Sequence, residues 1–257
     1  KIGRIQDYCD IQNAEDACRV FGTAHGEYLR ERYERQRRGV PDGMPDGNRR
    51  SWGAAIWRLN DTWPMIYMSA VDYYLEPTIP YCFLKRACEP VLISFEQTPD
   101  DISVWLVNDT PEQISDSLYI ELWTFDGQLK KRISRKAELN SGNSKRIVNL
   151  AYEFHEIWKR DEFLLARFGD QQATHLLMPE KFLKLKEAEI SARWEDEELV
   201  LKSEFFVKDV KLHLVNTSGA VFSDNYFNLF PGEEKRVRII DFMEGKDLLI
   251  KGVNSEQ

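Results

Sequence analysis

The chain has 257 residues, 42% of them hydrophobic and 12% aromatic, which is enough for one large domain or two to three small ones with packed cores. Its formal net charge of −8 argues against nucleic acid as the main partner. No apolar run is long enough to cross a bilayer, and the four cysteines lack a paired Cys-x-x-Cys spacing, which argues against a zinc site and favours buried free thiols.

A long amphipathic helix is predicted over about residues 13–38. Asn13 is suited to cap its first turn, and apolar side chains recur at helical spacing from Ala17 to Leu29. Arginines crowd the last turns, where cations complement the helix dipole. Because glutamates alternate with them, we interpret this end as a solvated, ion-paired surface rather than as a phosphate-binding patch.

A turn-rich loop at residues 39–50, GVPDGMPDGNRR, is followed by a short apolar run at residues 52–59. That run predicts a strand buried on both faces. It ends in a cluster of two indoles, an amide and a carboxylate, which are Trp57, Trp63, Asn60 and Asp61. Indoles pack on the apolar faces of sugar rings, and amide and carboxylate groups bond to hydroxyls, so the cluster predicts a sugar site.

The second half of the chain is predicted to be β-structure, after a short helix at residues 81–88 that Glu89 and Pro90 terminate. From residue 91 the hydrophobic period changes to two, with predicted strands at 91–95, 102–107, 118–125, 129–137, 145–149, 162–168 and 174–178, turns at 126–127 and 140–143, and a helical crossing at 151–159. These short strands indicate an immunoglobulin-like sandwich. After a linker at 179–180, strands at 190–194, 199–203, 210–214, 226–229 and 235–240 indicate a second, smaller sandwich.

Two segments of the chain resemble one enzyme family. WRLNDTWP, at residues 57–64, resembles the last barrel strand of glycoside hydrolase family 2 in its β-mannosidase branch. FSDNYFNLFPGE, at residues 222–233, is similar to the signature of the carboxyl-terminal immunoglobulin-like domain of the same enzymes, where it is structural rather than sugar-binding. The resemblance implies a mainly β fold. It further implies the end of a (β/α)8 TIM barrel at residues 1–89 and two immunoglobulin-like β-sandwiches at residues 90–179 and 180–257.

The resemblance also implies a reaction. Family 2 enzymes are retaining glycosidases with two glutamates, which must lie about 5–5.5 Å apart. Both precede the last barrel strand, and neither family pattern occurs before Gly53, so we expect the catalytic glutamates upstream of Lys1 and the chain alone to be inactive. The expected parent is an exo-acting β-mannosidase that needs no metal or organic cofactor. The sugar assignment depends on Leu-Asn-Asp at residues 59–61, because exo-β-glucosaminidases more often have Leu-Asn-Asn there.

Three residues are the candidate sugar ligands. By the resemblance, Trp57 packs beneath the terminal sugar, while Asn60 and Asp61 bond to hydroxyls or orient neighbouring loops. The structural alternative is that Asp61 caps the following turn and Asn60 satisfies backbone groups. We interpret Trp63 as a packing residue, because Pro64 holds it at a bend. The four histidines lack the His-Glu-x-x-His spacing of a zinc peptidase and are interpreted as packed or surface residues.

The main alternative function is a non-catalytic module that binds polysaccharide or braces the barrel. A carbohydrate-binding sandwich exposes a planar row of aromatics, and Trp105, Trp123 and Trp194 lie in strand patterns that are equally compatible with core positions. The expected partners are a β-linked mannoside or oligosaccharide and the upstream barrel of the same protein, with no nucleic acid and no membrane. A lone last barrel strand leaves Ile56 and Leu59 uncovered, so we expect the isolated chain to associate through residues before about 90 or to order them poorly.

Overall fold

Two helices open the computed structural model, which describes residues 3–39, 54–65, 69–99, 101–150, 160–215, 221–240 and 247–255. Helix α1 spans Ala14–Arg38 and helix α2 spans Ile79–Ala87. The predicted cap of α1 is confirmed, because the Asn13 side chain accepts a hydrogen bond of 2.8 Å from the amide of Asp16. Helix α2 begins two residues earlier than predicted, with Pro80 in its first turn, where a missing N–H removes no helical hydrogen bond.

Two glycines let the helices approach closely. Gly22 and Gly26 lie four residues apart on α1, and therefore on the same face. A Cβ atom on Gly22 would lie 2.8 Å from Cδ1 of Ile79, and one on Gly26 would lie 3.1 Å from Cγ of Phe83. The glycines therefore make room for the apolar face of α2, which also buries Cys82 and Leu84.

The first sandwich follows α2. Its strands are β1 (Val91–Gln97), β2 (Ile102–Asn108), β3 (Ile114–Thr124), β4 (Leu129–Leu139), β5 (Asn143–Asn149), β6 (Glu162–Phe168) and β7 (Gln171–Leu176). Within the described residues they pair antiparallel in the orders β1-β2-β5 and β4-β3-β6-β7. The core between the two sheets includes Leu106, Ile120 and Leu164, all fully buried. The predicted hairpin turn is confirmed at Gly127, which has φ 89° and donates its amide to the Thr124 carbonyl at 3.1 Å.

The second sandwich completes the chain. Its strands are β8 (Ser191–Glu195), β9 (Glu198–Lys202), β10 (Val207–Leu214), β11 (Val221–Phe222), β12 (Phe227–Leu229), β13 (Glu234–Ile240) and β14 (Leu248–Lys251). In the described ranges they pair in the orders β12-β10-β14 and β11-β13-β9-β8. The prediction of helices followed by immunoglobulin-like β-sandwiches is confirmed, although β11 and β14 were not predicted. The domain limits at residues 89 and 179 stay predictions.

The strand predicted at residues 52–59 is wrong for the residues that the structure describes. Residues 54–59 form no strand, and the segment has a single bridge, between Asn60 and Val71. Leu59 is 62% exposed. Strands persist where a neighbouring strand pairs with their backbone along their length, and among the described residues only the short stretch 69–71 lies beside the end of this segment. Residues 52 and 53, most of the predicted 39–50 loop and the predicted crossing at 151–159 lie outside the described residues.

The cysteines correct a second prediction. All four are free thiols, but only Cys82, on the inner face of α2, is buried. Cys9, Cys18 and Cys88 are exposed, because they lie before α1, on its outer side and at the C-cap of α2. Burial raises the pKa of the Cys82 thiol to about 11, so it behaves as a small apolar group.

The two sandwiches meet through an aromatic cluster. Phe125 and Phe163 of the first sandwich pack against Phe206 and Phe230 of the second. The Phe163 and Phe206 ring centroids lie 4.6 Å apart, and the Phe206 amide donates to the Phe125 carbonyl at 2.9 Å. This contact, which we call the aromatic junction, is a small hydrophobic core shared by the two sandwiches.

Helix α1 meets the sandwiches through ion pairs instead. Glu180, in the predicted linker, is buried and lies 2.8 Å from Nη1 of Arg19 and 3.0 Å from Nζ of Lys208. At the other end of α1, Arg38 donates to the Phe95 carbonyl at 3.1 Å. We call these contacts the charged junction. The residue read as a linker is therefore a central contact between α1 and the second sandwich.

Candidate functional site

The candidate site lies on an irregular segment between α1 and α2. Two short stretches, residues 58–61 and 69–71, run side by side and are joined by backbone hydrogen bonds. The amide of Val71 donates to the Leu59 carbonyl at 2.8 Å, and the amide of Ala70 donates to the Arg58 carbonyl at 3.3 Å. These bonds satisfy backbone groups that an exposed loop would otherwise leave to water.

The buried side chain of Asp61 links the two stretches. Its side chain is almost fully buried, and its Oδ1 atom lies 2.7 Å from Nη2 of Arg58. Its Oδ2 atom accepts a short hydrogen bond from the hydroxyl of Ser69. A buried carboxylate is stable only when it is paired and hydrogen-bonded in this way. The arrangement, which we call the Asp61 clamp, therefore holds residues 58–61 against residue 69.

Trp57 and Asn60 lie on the opposite, solvent side of the clamp. Trp57 is 82% exposed, and its peptide bond to Arg58 is cis. Asn60 is also exposed, and its backbone forms the bridge to Val71. The structure therefore places two of the predicted site residues at the surface and the third, Asp61, in the interior beneath them.

Further apolar side chains are exposed along the same segment. Trp63 is 60% exposed and lies beneath the guanidinium of Arg58, with the Arg58 Cζ atom 5.9 Å from the ring centroid. Tyr73, Tyr74 and Leu75 are each at least 48% exposed. Among the described residues Trp63 has this cation contact, and its packing role stays a prediction. So many large apolar side chains on one segment mark a surface that another body covers or uses.

Sequence reasoning missed the two partners of Asp61. Arg58 lies three residues before Asp61, and a cation at that spacing was a signal that the carboxylate is paired. Ser69 lies eight residues after Asp61 and gives no local signal. Its role follows only from the fold, which brings the second stretch back beside the first.

A cleft of about 1470 Å³ lies between α1 and the sandwiches. Three of its charged side chains pair with one another, since Arg30 lies 2.9 Å from Glu34 and 2.5 Å from Glu27. Burial raises the pKa of Glu34, although Arg30 and Arg38 act against it. Because these groups neutralise one another, the cleft is best explained as part of the charged junction rather than as a ligand site.

A metal-holding group of side chains and a membrane-spanning helix are both absent from the described residues. Among them no group of three histidine, cysteine or carboxylate side chains is placed to hold a metal ion. Neither helix in the described part of the chain is long and apolar enough to cross a membrane.

Comparison with known proteins identifies the two sandwiches. Residues 100–182 match the family model of a mannosidase Ig/CBM-like domain, and residues 183–250 match the model of the Ig-fold domain of mannosidases. These are the carboxyl-terminal immunoglobulin-like domains of the β-mannosidase type. The resemblance inferred from residues 222–233 is thereby confirmed.

Curated proteins that are similar in sequence are named β-mannosidase B. β-Mannosidase B of Thermothelomyces thermophilus is 28% identical over 243 aligned residues, which cover 77% of this chain and 26% of the relative. β-Mannosidase B of Emericella nidulans is 32% identical over 96 residues, which cover 35% of this chain and 11% of the relative. The chain thus spans about a quarter of the length of curated relatives that it matches.

Solved structures share the fold. A β-D-mannosidase from Dictyoglomus thermophilum superposes with a TM-score of 0.82 at 22% identity, covering 98% of this chain and 31% of that one. An exo-chitosanase from Amycolatopsis orientalis superposes with a TM-score of 0.72 at 17% identity, covering 95% of this chain and 34% of that one. The helices and both sandwiches therefore form the arrangement that these larger enzymes contain.

Proposed function

We propose that this chain is the carboxyl-terminal part of a retaining, exo-acting β-mannosidase of glycoside hydrolase family 2. The observation that carries the proposal is the exposed indole of Trp57 beside the Asp61 clamp, in a chain that also carries the two mannosidase-type sandwiches. An indole held on a fixed backbone offers the flat apolar face that a pyranose ring packs against.

Each candidate residue has a proposed role. Trp57 packs beneath the terminal sugar, and the exposed amide of Asn60 bonds to a sugar hydroxyl. Asp61 orients both of them, because its two oxygens are engaged by Arg58 and Ser69. The catalytic glutamates belong to the upstream part of the barrel, so this chain alone is proposed to be inactive.

The exposed apolar segment fits the same proposal. In the complete barrel, Leu59 and the neighbouring half-buried Ile56 are covered by upstream barrel elements of the same protein. The chain alone is therefore expected to associate through residues before about 90. The barrel assignment is contradicted if the chain sediments as a monomer at high concentration and its amino-terminal part is also found to be rigid.

Hydrolysis of a chromogenic β-mannoside tests the proposal. We expect no turnover by this chain, and turnover by the chain extended upstream through a full barrel. In the extended chain, Trp57→Ala lowers kcat/KM by about tenfold to a hundredfold, because removing an aromatic platform costs a few kcal/mol at most. The matched control is Trp194→Ala, which removes another exposed indole, 46% accessible, on the second sandwich.

Three results change the proposal in different ways. Turnover by the short chain means that the catalytic carboxylates are misplaced. Turnover of a β-glucosaminide but not of a β-mannoside keeps the family and overturns the sugar. An equal loss from Trp57→Ala and Trp194→Ala removes the sugar-binding role of Trp57.

A bracing role for the sandwiches is the second candidate, and the charged junction favours it. Arg37 lies 2.9 Å from Asp109, which ties the end of α1 to the first sandwich. A carbohydrate-binding row of indoles is less well supported. Trp105 is buried, and Trp123 is half-buried with its ring N–H donating to Glu121 at 2.7 Å. Trp194 lies on the other sandwich.

A further inference from the structure

The start of α2 is bonded directly to the Asp61 clamp. Thr78, the residue before α2, donates its amide to the Ala70 carbonyl at 3.0 Å. Its hydroxyl lies 2.9 Å from the carbonyl oxygens of both Ser69 and Ala70. Ser69 in turn donates its hydroxyl to Asp61. The start of α2 is therefore hydrogen-bonded to the stretch that supplies Ser69 to the clamp.

The end of α2 is held by a loop of the second sandwich, residues 223–226, which we call the latch loop. Nη1 of Arg86 donates to Oδ1 of Asp224 at 2.8 Å and to the Asn225 carbonyl at 3.0 Å. Nη2 of Arg86 donates to the Tyr226 carbonyl at 2.9 Å. One guanidinium thus makes three bonds to three consecutive residues, a geometry that a lysine cannot reproduce.

The latch loop is itself anchored to the sheets behind it. The Asn225 side chain accepts from the Leu212 amide at 2.8 Å and donates to the Leu212 carbonyl at 2.9 Å, which copies a strand pairing. The Ser223 amide donates to the Arg238 carbonyl of β13 at 2.8 Å, and on the side facing α2 the Ser223 carbonyl accepts from Nζ of Lys85 at 2.5 Å. Because both ends are bonded to strands, the loop can act as a fixed support for α2.

Asp224 is shared between two cations, and this offers a matched control. Its Oδ1 atom accepts from Arg86, and its Oδ2 atom accepts from Nζ of Lys235 on β13 at 2.8 Å. Burial raises the pKa of Asp224, but the Arg86 and Lys235 cations outweigh this and hold it below its usual range. Removing Arg86 breaks the three bonds of its guanidinium to the latch loop and leaves the bond from Lys85 of α2 to the Ser223 carbonyl, whereas removing Lys235 leaves all of these bonds in place.

We propose that the latch loop positions residues 57–61 through α2, so that Arg86 and Asp224 are positioning residues for the sugar site. The inference rests on the proposed function for its consequence in catalysis, but not for the mechanical coupling itself. Helix α2 has nine residues and is about 13 Å long, so it acts as a short rigid connector. The second sandwich thereby acquires a role in substrate positioning without touching the substrate.

Amide hydrogen exchange on this chain tests the coupling without any substrate. The reporting amides are those of Asp61, Ala70 and Val71, which donate within the clamped stretches. We expect Arg86→Gln to speed their exchange about tenfold, since it removes three charge-assisted bonds. Asp224→Asn leaves the two carbonyl bonds and has a smaller effect.

The controls separate coupling from general destabilisation. Lys235→Gln removes the other cation of Asp224 and is expected to change exchange at the clamp less than twofold. Arg86→Lys keeps the charge pair and restores part of the protection. Exchange in β9 and β13 is expected to stay unchanged in all variants. If Arg86→Gln raises exchange in these strands too, Asp224→Asn is used instead: a larger rise at the clamp than in β9 and β13 supports the coupling, and an equal rise overturns it. Unchanged clamp exchange in Arg86→Gln means that the three bonds of Arg86 to the latch loop do not position the clamp, and overturns the proposal.

Kinetics on the chain extended upstream give the second readout. Arg86→Gln and Asp224→Asn are expected to raise KM for a chromogenic β-mannoside about fivefold or more with little change in kcat, because a displaced sugar platform weakens binding rather than chemistry. Lys235→Gln leaves both constants unchanged. If clamp exchange responds but no extended chain is active, the proposed function fails and the coupling stands. If activity is present and KM is unchanged in Arg86→Gln, the positioning role fails and the function stands.

Discussion

The aromatic junction and the charged junction hold the same molecule together by different physics. At the aromatic junction, Phe163 and Phe206 are fully buried against each other and carry no charge. At the charged junction, Glu180 is buried between the cations of Arg19 and Lys208. Apolar burial is non-directional and tolerates small displacements, whereas buried ion pairs require defined geometry. The two sandwiches are therefore joined by burial of apolar surface, whereas α1 is held on them by ion pairs of defined geometry.

The largest expected effect comes from breaking the aromatic junction. Phe206→Ala should lower the free energy of unfolding by about 3–5 kcal/mol, because it removes a fully buried ring and leaves a cavity. Urea denaturation at neutral pH measures the change. The matched control is Phe182→Ala, whose ring is 41% exposed, with an expected loss of about 0.5 kcal/mol or less. If Phe206→Ala and Phe182→Ala lower the free energy of unfolding by similar amounts, the aromatic junction does not make the proposed contribution to stability.

Glu180→Gln should have a smaller but still large effect. It removes the anion from Arg19 and Lys208 and should cost about 2 kcal/mol. The loss is limited because Lys208 keeps its ion pair with Asp209. Glu198→Gln is the control, since this half-buried carboxylate lies 3.5 Å from the exposed guanidinium of Arg236 at the sheet surface and contributes little. A loss no larger than that of the control removes Glu180 from the charged junction.

The pH dependence of the Glu180 contribution follows from the direction of its pKa shift. Burial raises the pKa of Glu180, but Lys208 and Arg19 outweigh this and bring it below its ordinary value of 4.5. The folded pKa is lower than the unfolded one, so the stabilisation is present above about pH 4.5 and is lost as the pH falls through the folded pKa. The difference between wild type and Glu180→Gln should therefore shrink below pH 4.5, whereas the Phe206→Ala difference stays constant.

The smallest effect is expected from His175, on β7 in the cleft beside α1. Burial, assisted by Arg30 and opposed by Glu27, lowers the pKa of His175 from 6.5 to about 4. In the described structure its Nε2 atom is buried without a hydrogen-bond partner. The unfolded chain then binds more protons between pH 4 and 6.5, so stability is full above pH 6.5 and falls as the pH is lowered towards 4.

His175→Gln should flatten that part of the pH profile. The expected loss of stability across this pH window is about 1 kcal/mol, less than the full pKa shift implies, because His175 as a whole residue is only half-buried. Urea unfolding at pH 7, 6, 5 and 4.5 measures it, with His213→Gln on β10 as the matched control. A profile that is unchanged in His175→Gln contradicts the assignment.

Local sequence was sufficient for most elements of this fold. The cap at Asn13, the turn at Gly127 and the alternating strands depend on interactions within a few residues, and they appear where they were expected. The strand predicted at residues 52–59 failed because an apolar run specifies burial but not its partner. Strand β11 and the four-residue β14 were missed because their pairing with β13 and β10 has no local signal.

The candidate site likewise has features that local sequence sets and features that only the tertiary structure sets. The sequence by itself determined which side chains meet near residue 57, because they are neighbours in the chain, and it carried the resemblance that the domain matches confirm. Only the tertiary structure decided that Asp61 points inward to Ser69 while Trp57 faces solvent, and that Arg86 joins α2 to a loop 138 residues later. Contacts across such separations depend on how whole elements pack, and residue type and spacing do not contain that information.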